Sequence, residues 1–274
     1  MEKKRYGAID GLRMIAAFGI VMRHMQANNN YEIGGFVYDT IIPSLTDFVF
    51  LFMVVSAFGM CCGYRDKVLA NQLNLTDFYS KRYKKILPFF GILVLLDVVM
   101  SHSVSSIYEG FADLTLLFGF LPNTITVIGV GWFIGLIFIF YLIFPFFCVL
   151  LENKKRAWAA FGISLIYNFA CVNYFDVGRT NILYSGCFFI AGGLIYLYRE
   201  EISRVSQWAA WMLAICCAVL YYCIGGNTCT YLMVSCSLLI CAVTNSGGYW
   251  RTELQSSSAA SAWRFTSRIC LSSV

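Results

Sequence analysis

Charge is what this sequence has least of. Asp, Glu, Lys and Arg make up 13% of its 274 residues, about half the share found in soluble domains. Hydrophobic residues make up 59%, and the mean hydropathy is +0.69. A soluble globular domain is excluded, and a polytopic membrane protein is expected. Strict apolar–polar alternation in segments of about ten residues, which a transmembrane barrel requires, is also missing. The apolar runs are continuous and rich in Leu, Ile, Phe and Val. Helices are then the one way to satisfy the backbone in lipid. The predicted fold class is all-α, a transmembrane bundle of about eight spanning helices. No internal repeat and no low-complexity linker precede residue 245, so 1–245 reads as one membrane-embedded domain. Residues 246–274 read as a polar, Ser-rich tail. A disordered cytoplasmic tail, an amphipathic surface segment and the abnormal end of a truncated product all fit it.

Two further absences narrow the reading. Lys3, Lys4 and Arg5 before an apolar stretch resemble a signal peptide, but Asp10 and Arg13 interrupt the apolar core and no A-x-A-like cleavage site follows. The segment is expected to stay as the first helix. No C-x-x-C has a matching second pair or His partner among the twelve cysteines, so no metal site is expected. Most cysteines lie in apolar runs as small packing residues. Cys223 and Cys229 flank a short turn and are expected to be thiols, with a disulfide in an oxidising compartment as the alternative.

Membrane segments are predicted at 8–27, 41–63, 86–106, 130–151, 158–174, 182–198, 208–224 and 230–245. With the amino terminus in the cytoplasm, the inside loops hold Arg65, Lys67, Lys81, Arg82, Lys84, Lys85, Lys154, Lys155, Arg156, Arg199 and Arg204. The outside loops hold Arg179. Within the long outside connection, the apolar run 111–121 is too short to span and is expected to be an interfacial or re-entrant helix.

What polar chemistry remains is concentrated. Arg13 and His24 are eleven residues apart, which at about 100° per residue is three turns with only about 20° of offset. At a rise of about 1.5 Å per residue they stand roughly 16 Å apart along one face. Asp10 precedes Arg13 by one turn and lies about 40° from His24. Ionised groups cost on the order of 2.5–3.5 kcal/mol at the centre of a membrane helix, so this stripe is expected to face protein. An imidazole there suits proton exchange with a hydroxyl or a thiolate. A structural Asp10–Arg13 pair beside a His bonded to backbone is the plainer alternative. Lys81, Arg82, Lys84 and Lys85 approach the third segment in two rows at i, i+3 spacing. They can cradle a polyanion or simply face anionic lipid heads. Trp132 and Tyr141 in the fourth segment read as aromatic anchors, Asp97 as a buried acid, and Arg179 first as an exposed loop cation and second as a cation able to meet an anionic acceptor.

Four stretches in order resemble acyltransferase family 3, polytopic membrane enzymes that include bacterial sugar O-acetylases. Tyr6 to Ala17 is similar to the family's D-G-x-R-x-x-A opening, and Arg13 with His24 reproduces its R-x10-H spacing. Val49 to Phe58 is similar to F-F-x-x-S-G-F, with Ala57 in place of Gly. Lys81 to Pro88 resembles the basic R-x-x-R-x-x-P stretch, with Lys85 in place of the second Arg. Trp132 to Pro145 resembles W-S-L-x-x-E-x-x-F-Y-L-x-x-P, with Ile137 where many members carry Glu. The resemblance covers about Tyr6 to Thr244.

It implies transfer of an acyl group, usually acetyl from cytoplasmic acetyl-CoA, to a hydroxyl of a glycan or lipid-linked sugar, a polysaccharide O-acetylation in the bacterial cytoplasmic membrane. In that reading His24 is the general base or acid, Arg13 orients the donor with Asp10 beside it, and Lys81, Arg82, Lys84 and Lys85 hold the coenzyme phosphates. Trp132, Tyr141 and Arg179 are candidate acceptor contacts. Membrane lipid is the implied surroundings, and no nucleic acid is implied. The family usually has about ten spanning helices and a late S-x-x-I-Y-L-x-H segment, whereas this chain shows eight segments and only R-I-C-L-S-S near its end. Two alternatives therefore stand beside the enzyme: a truncated, inactive relative, and a proton-coupled transporter using Asp10, His24 and Asp97. The acceptor, the acyl group and the oligomeric state have no readable motif.

Overall fold

The computed structural model describes residues 7–30, 33–101, 103–120 and 131–245. The basic amino terminus and the Ser-rich tail lie outside the described residues, as does the stretch 121–130.

Nine main helices follow in order: α1 (Gly7–Ala27), α2 (Val37–Leu69), α3 (Leu75–Ser101), α4 (Val104–Thr115), α5 (Trp132–Leu150), α6 (Lys154–Asn173), α7 (Ile182–Leu197), α8 (Gln207–Ile224) and α9 (Thr228–Thr244). No strand occurs among the described residues. Each of the eight predicted segments corresponds to a main helix, although the third, 86–106, ends at Ser101 and its last residues belong to α4. Helices α2, α5 and α8 are long and apolar enough to cross a membrane, and α7 and α9 are shorter apolar helices. Helices α1, α3 and α6 carry charged residues and fall outside both groups.

Helices α2 and α3 differ most from expectation in extent. Helix α2 reaches beyond 41–63 because a π-turn continues it at each end, Val37–Ile41 and Cys61–Arg65, with a 3₁₀ turn at Leu45–Asp47 between. Helix α3 starts at Leu75, eleven residues before the apolar stretch, because the Lys- and Arg-rich sequence is itself a good helix former. The short apolar run becomes α4 followed by a 3₁₀ turn at Phe118–Phe120.

Local chemistry accounts for the starts. Asn153 accepts from the amides of Lys155 and Arg156 at the head of α6, and Ser206 accepts from Ala209 at the head of α8. Asn227 and Thr230 form a reciprocal capping box on α9, at 3.1 and 2.9 Å. Asn227 sits just after Gly225, whose φ of +91° turns the chain between α8 and α9.

The described helices fall into two compact units. The first takes its residues from Met1–Met60 and Phe188–Ser267, the second from Cys61–Cys187. In the first, α1 and α9 pack on the central part of α2, and α8 packs on α9. Gly192 of α7 lets that helix lie directly on α2, since a Cβ there would meet the carbonyl oxygen of Val54. Phe50 stacks between Phe188 and Tyr231, with ring centroids at 4.3 and 4.7 Å. In the second unit, α3 packs on α4, and Phe90, Val94, Leu116, Phe118 and Phe138 form the core.

Helices α4 and α8 turn apolar side chains outward and small or polar ones inward. On α4 the buried positions are Ser106, Gly110 and Asp113, while Val104, Ile107, Tyr108 and Phe111 are exposed. On α8, Trp208, Met212, Ile215 and Val219 are exposed and Ala210, Ala214 and Cys217 are buried. Outward apolar faces around small or polar interiors belong in lipid. The protein is an integral membrane protein. Cys223 and Cys229 are exposed thiols, not a disulfide. Cys216, read from its apolar run as a packing residue, is exposed on the same helix.

Candidate functional site

In the first unit the polar stripe of α1 is set by its buried line, Ile9, Ala16 and Ile20. At about 100° per residue, Arg13 and His24 stand about 40° and 60° to one side of that line and Asp10 about 100°. The stripe thus runs along the margin of the buried face. Arg13 Nη1 donates to Asp10 Oδ1 at 3.4 Å, and the two side chains are 40% and 32% exposed. Arg13 also lies against α2. A Cβ added at Gly59 would stand 2.6 Å from its Nη2, so the missing side chain is what admits the guanidinium.

The expectation that the whole stripe faces protein holds only in part. His24 occupies the last turn of α1 and is exposed, where the helix is about to end and its offset from the buried line carries the ring outward. That turn is nevertheless closed off firmly: the His24 carbonyl accepts from both the backbone amide and the Nδ2 of Asn28, at 3.1 and 2.8 Å. Beside it, Arg23 Nη1 donates to Gln26 Oε1 at 3.1 Å. The Gln26 amide in turn donates to the carbonyl of Tyr38, and Asn29 Nδ2 donates to the Tyr38 hydroxyl at 2.8 Å. Farther along the same unit, Tyr221 donates to Asp47 Oδ2 at 2.6 Å, and Ser44 and Tyr222 share a hydroxyl bond of 2.9 Å.

In the second unit the basic stretch of α3 divides. Lys81, Lys84 and Lys85 are exposed, but Arg82 is not a member of a row with Lys85. Its guanidinium carbon lies 3.9 Å from the ring centroid of Phe78, 4.4 Å from Tyr64 and 5.6 Å from Tyr141, and its Nη1 reaches the Tyr64 hydroxyl and the Phe78 carbonyl, both at 3.3 Å. An aromatic box holds the charge because a weakly hydrated planar cation stacks where an ammonium would stay in water. One turn earlier, Tyr79 donates to the Leu142 carbonyl at 2.8 Å, next to the carbonyl that Pro145 leaves without its helical donor. Burial raises the Tyr79 phenol above its ordinary pKa and keeps it a donor.

Trp132 and Arg179, far apart in sequence, meet: the guanidinium carbon is 5.6 Å from the indole centroid. Ser185 donates to the Arg179 carbonyl at 2.7 Å and holds that loop at the start of α7. Tyr141 belongs instead to the Arg82 box. Asp97 is half-buried on α3, and Ile137, where a Glu is common in the resembling family, is buried at 7% exposure. Among the described residues, no group of three His, Cys, Asp or Glu is placed to hold a metal ion.

Sequence reasoning missed Gly59, Arg23 and Gln26. Helical spacing does signal the last two, since Arg23 and Gln26 are i, i+3 neighbours on α1. Nothing in the spacing of α1 signals Gly59, which belongs to another helix.

No curated protein and no solved structure matches the chain. A family model described as an acyltransferase domain matches residues 6–272, nearly its whole length. That span takes in the α1 stripe with its Gly59 seat, the basic start of α3 and the Trp132 helix, and the chain belongs to acyltransferase family 3, a family of membrane transferases.

Proposed function

We propose that the protein moves an acetyl group from acetyl-CoA to a hydroxyl of a glycan or lipid-linked sugar across the bacterial cytoplasmic membrane. The observation that carries the reading is the Asp10–Arg13 pair seated on Gly59 with His24 three turns along the same helix, in a chain of the acyltransferase family.

The residues divide the work. His24, exposed at its end of α1, accepts the proton of the acceptor hydroxyl as the oxygen bonds to the thioester carbonyl carbon. The carbon–sulfur bond breaks, and the same imidazolium returns the proton to the leaving thiolate. Arg13, oriented by Asp10, lies roughly 16 Å along the helix from His24, so it holds and orients the donor along the same face rather than touching the reacting carbonyl. Lys81, Lys84 and Lys85 suit the coenzyme phosphates, being exposed ammonium groups within two turns of one helix. Arg82 supports that stretch from within its box. Trp132 with Arg179 offers the acceptor an apolar ring beside a cation. In this orientation the amino terminus is cytoplasmic and His24 lies toward the outer side.

The test is calorimetric binding of acetyl-CoA to detergent-solubilised protein, intact and with Lys81, Lys84 and Lys85 replaced together by Gln. Saturable binding weakened at least tenfold in the variant is the expected result. Absence of binding by the folded intact protein overturns the reading. His24→Ala is expected to keep donor affinity and lose transfer.

A further inference from the structure

The buried line of α1 ends between two side chains. At about 100° per residue, Arg23 lies about 40° to one side of the Ile9–Ala16–Ile20 line and His24 about 60° to the other. The buried line therefore finishes beside a half-buried guanidinium on one side and an exposed imidazole on the other, on consecutive residues. Arg23 is half-buried, and its one described hydrogen bond is to the neutral amide oxygen of Gln26. That amide is itself anchored to the Tyr38 backbone, whose side chain is tied to Asn29. A guanidinium has five donors, and here a strut fixes its direction while most donors remain for another group. A cation half-buried on an apolar helix is costly unless an anion meets it. An Arg held in place by a neutral side chain, with no carboxylate bonded to it among the described residues, is built for an anion that arrives.

We infer that Arg23 is an acceptor-binding residue and that the protein selects a hydroxyl acceptor carrying an anionic group, a phosphate or carboxylate, within a few ångströms of the hydroxyl presented to His24. This rests on the acyltransferase reading and narrows its acceptor class. Gln26 is a positioning residue acting through Arg23.

The probes are methyl glucoside and methyl glucoside 6-phosphate, their affinities measured by ligand-observed NMR on protein in dodecyl maltoside, a detergent without phosphate. The intact protein is expected to bind the phosphorylated sugar at least fivefold more tightly. Arg23→Gln abolishes that preference, Arg23→Lys keeps part of it, and Gln26→Leu weakens it. Acetyl-CoA affinity, measured on the same samples, stays unchanged in all three and also shows that the variants are folded. Equal affinity for the two sugars, binding of neither, or a preference that survives Arg23→Gln overturns the inference. So does loss of donor affinity in Arg23→Gln, which would assign the cation to the coenzyme. Addition of phosphatidylglycerol supplies the remaining arm: if it removes the preference at a few molecules per protein, the anion at Arg23 is a lipid headgroup and the inference fails. An intact protein that binds no acetyl-CoA defeats the acyltransferase reading separately, whatever the sugars do.

Discussion

Gly59 is where a missing side chain has most effect. A methyl group there would meet the end of Arg13, which can swing away without disturbing the backbone. Gly59→Ala is therefore expected to leave the protein folded, weaken acetyl-CoA affinity severalfold and lower transfer. Calorimetry with a thermal melt on the same sample separates that outcome from unfolding. Arg82 behaves differently. Its contacts with Phe78, Tyr64 and Tyr141 are ring faces that a Lys cannot stack on in the same way. Each such contact contributes about 0.5–1 kcal/mol, so Arg82→Lys should lower the melting temperature by a few degrees. Loss of donor binding in an Arg82 variant would accordingly report on the box as much as on the coenzyme, and the neighbouring lysines give the cleaner comparison.

Among the elements, the end of α4 carries a measurable conflict. Leu116 adopts a left-handed conformation, φ +59°, at a position where Gly is usual, yet its side chain is wholly buried in the α3–α4 core. The conformation costs about 1–2 kcal/mol, whereas burying and packing a Leu stabilises by about 1.5–3 kcal/mol or more. Packing wins, so Leu116→Gly is expected to destabilise by about 1–2 kcal/mol in a thermal melt, despite relieving the backbone. The eight long helices could be located from the continuity of their apolar runs, and the α1 stripe from an eleven-residue spacing, because both depend on neighbours along the chain. Gly59 under Arg13, the rings around Arg82, and Trp132 beside Arg179 depend on which helices adjoin, and periodicity holds no record of that. The exposure of His24 was hidden for the same reason: spacing places it on a face, while the packing of α1 decides how far that face is covered. The basic stretch misled in a further way. Helical spacing puts Arg82 above Lys85, but stacking on aromatic rings from α2 and α5 pulls the guanidinium out of that row.

At the scale of the molecule, the turn between α8 and α9 and the His24 end of α1 share one end of the first unit. Helix α1 meets the Leu45–Asp47 turn at Gly19 and the start of α2 through Gln26, and Tyr221 and Tyr222 bond to Asp47 and Ser44. Cys223 and Cys229 are exposed there. A membrane-impermeant maleimide should label them from the same side of the membrane as a cysteine placed at Asn30, and from outside intact cells if the amino terminus is cytoplasmic. Labelling of the two places from opposite sides would contradict the packing of α1, α2 and α8.

The wide turns in α2 give that helix something its neighbours lack. In Phe48–Met60 each residue advances the face by about 100°, so removing one would turn everything beyond it away from its partners. A π-turn holds one residue more than the α-helix needs to close the same turn. Cys61–Arg65 and Val37–Ile41 are therefore slack in the chain: places where a single-residue deletion shortens a loop of backbone and leaves the faces on either side still aligned.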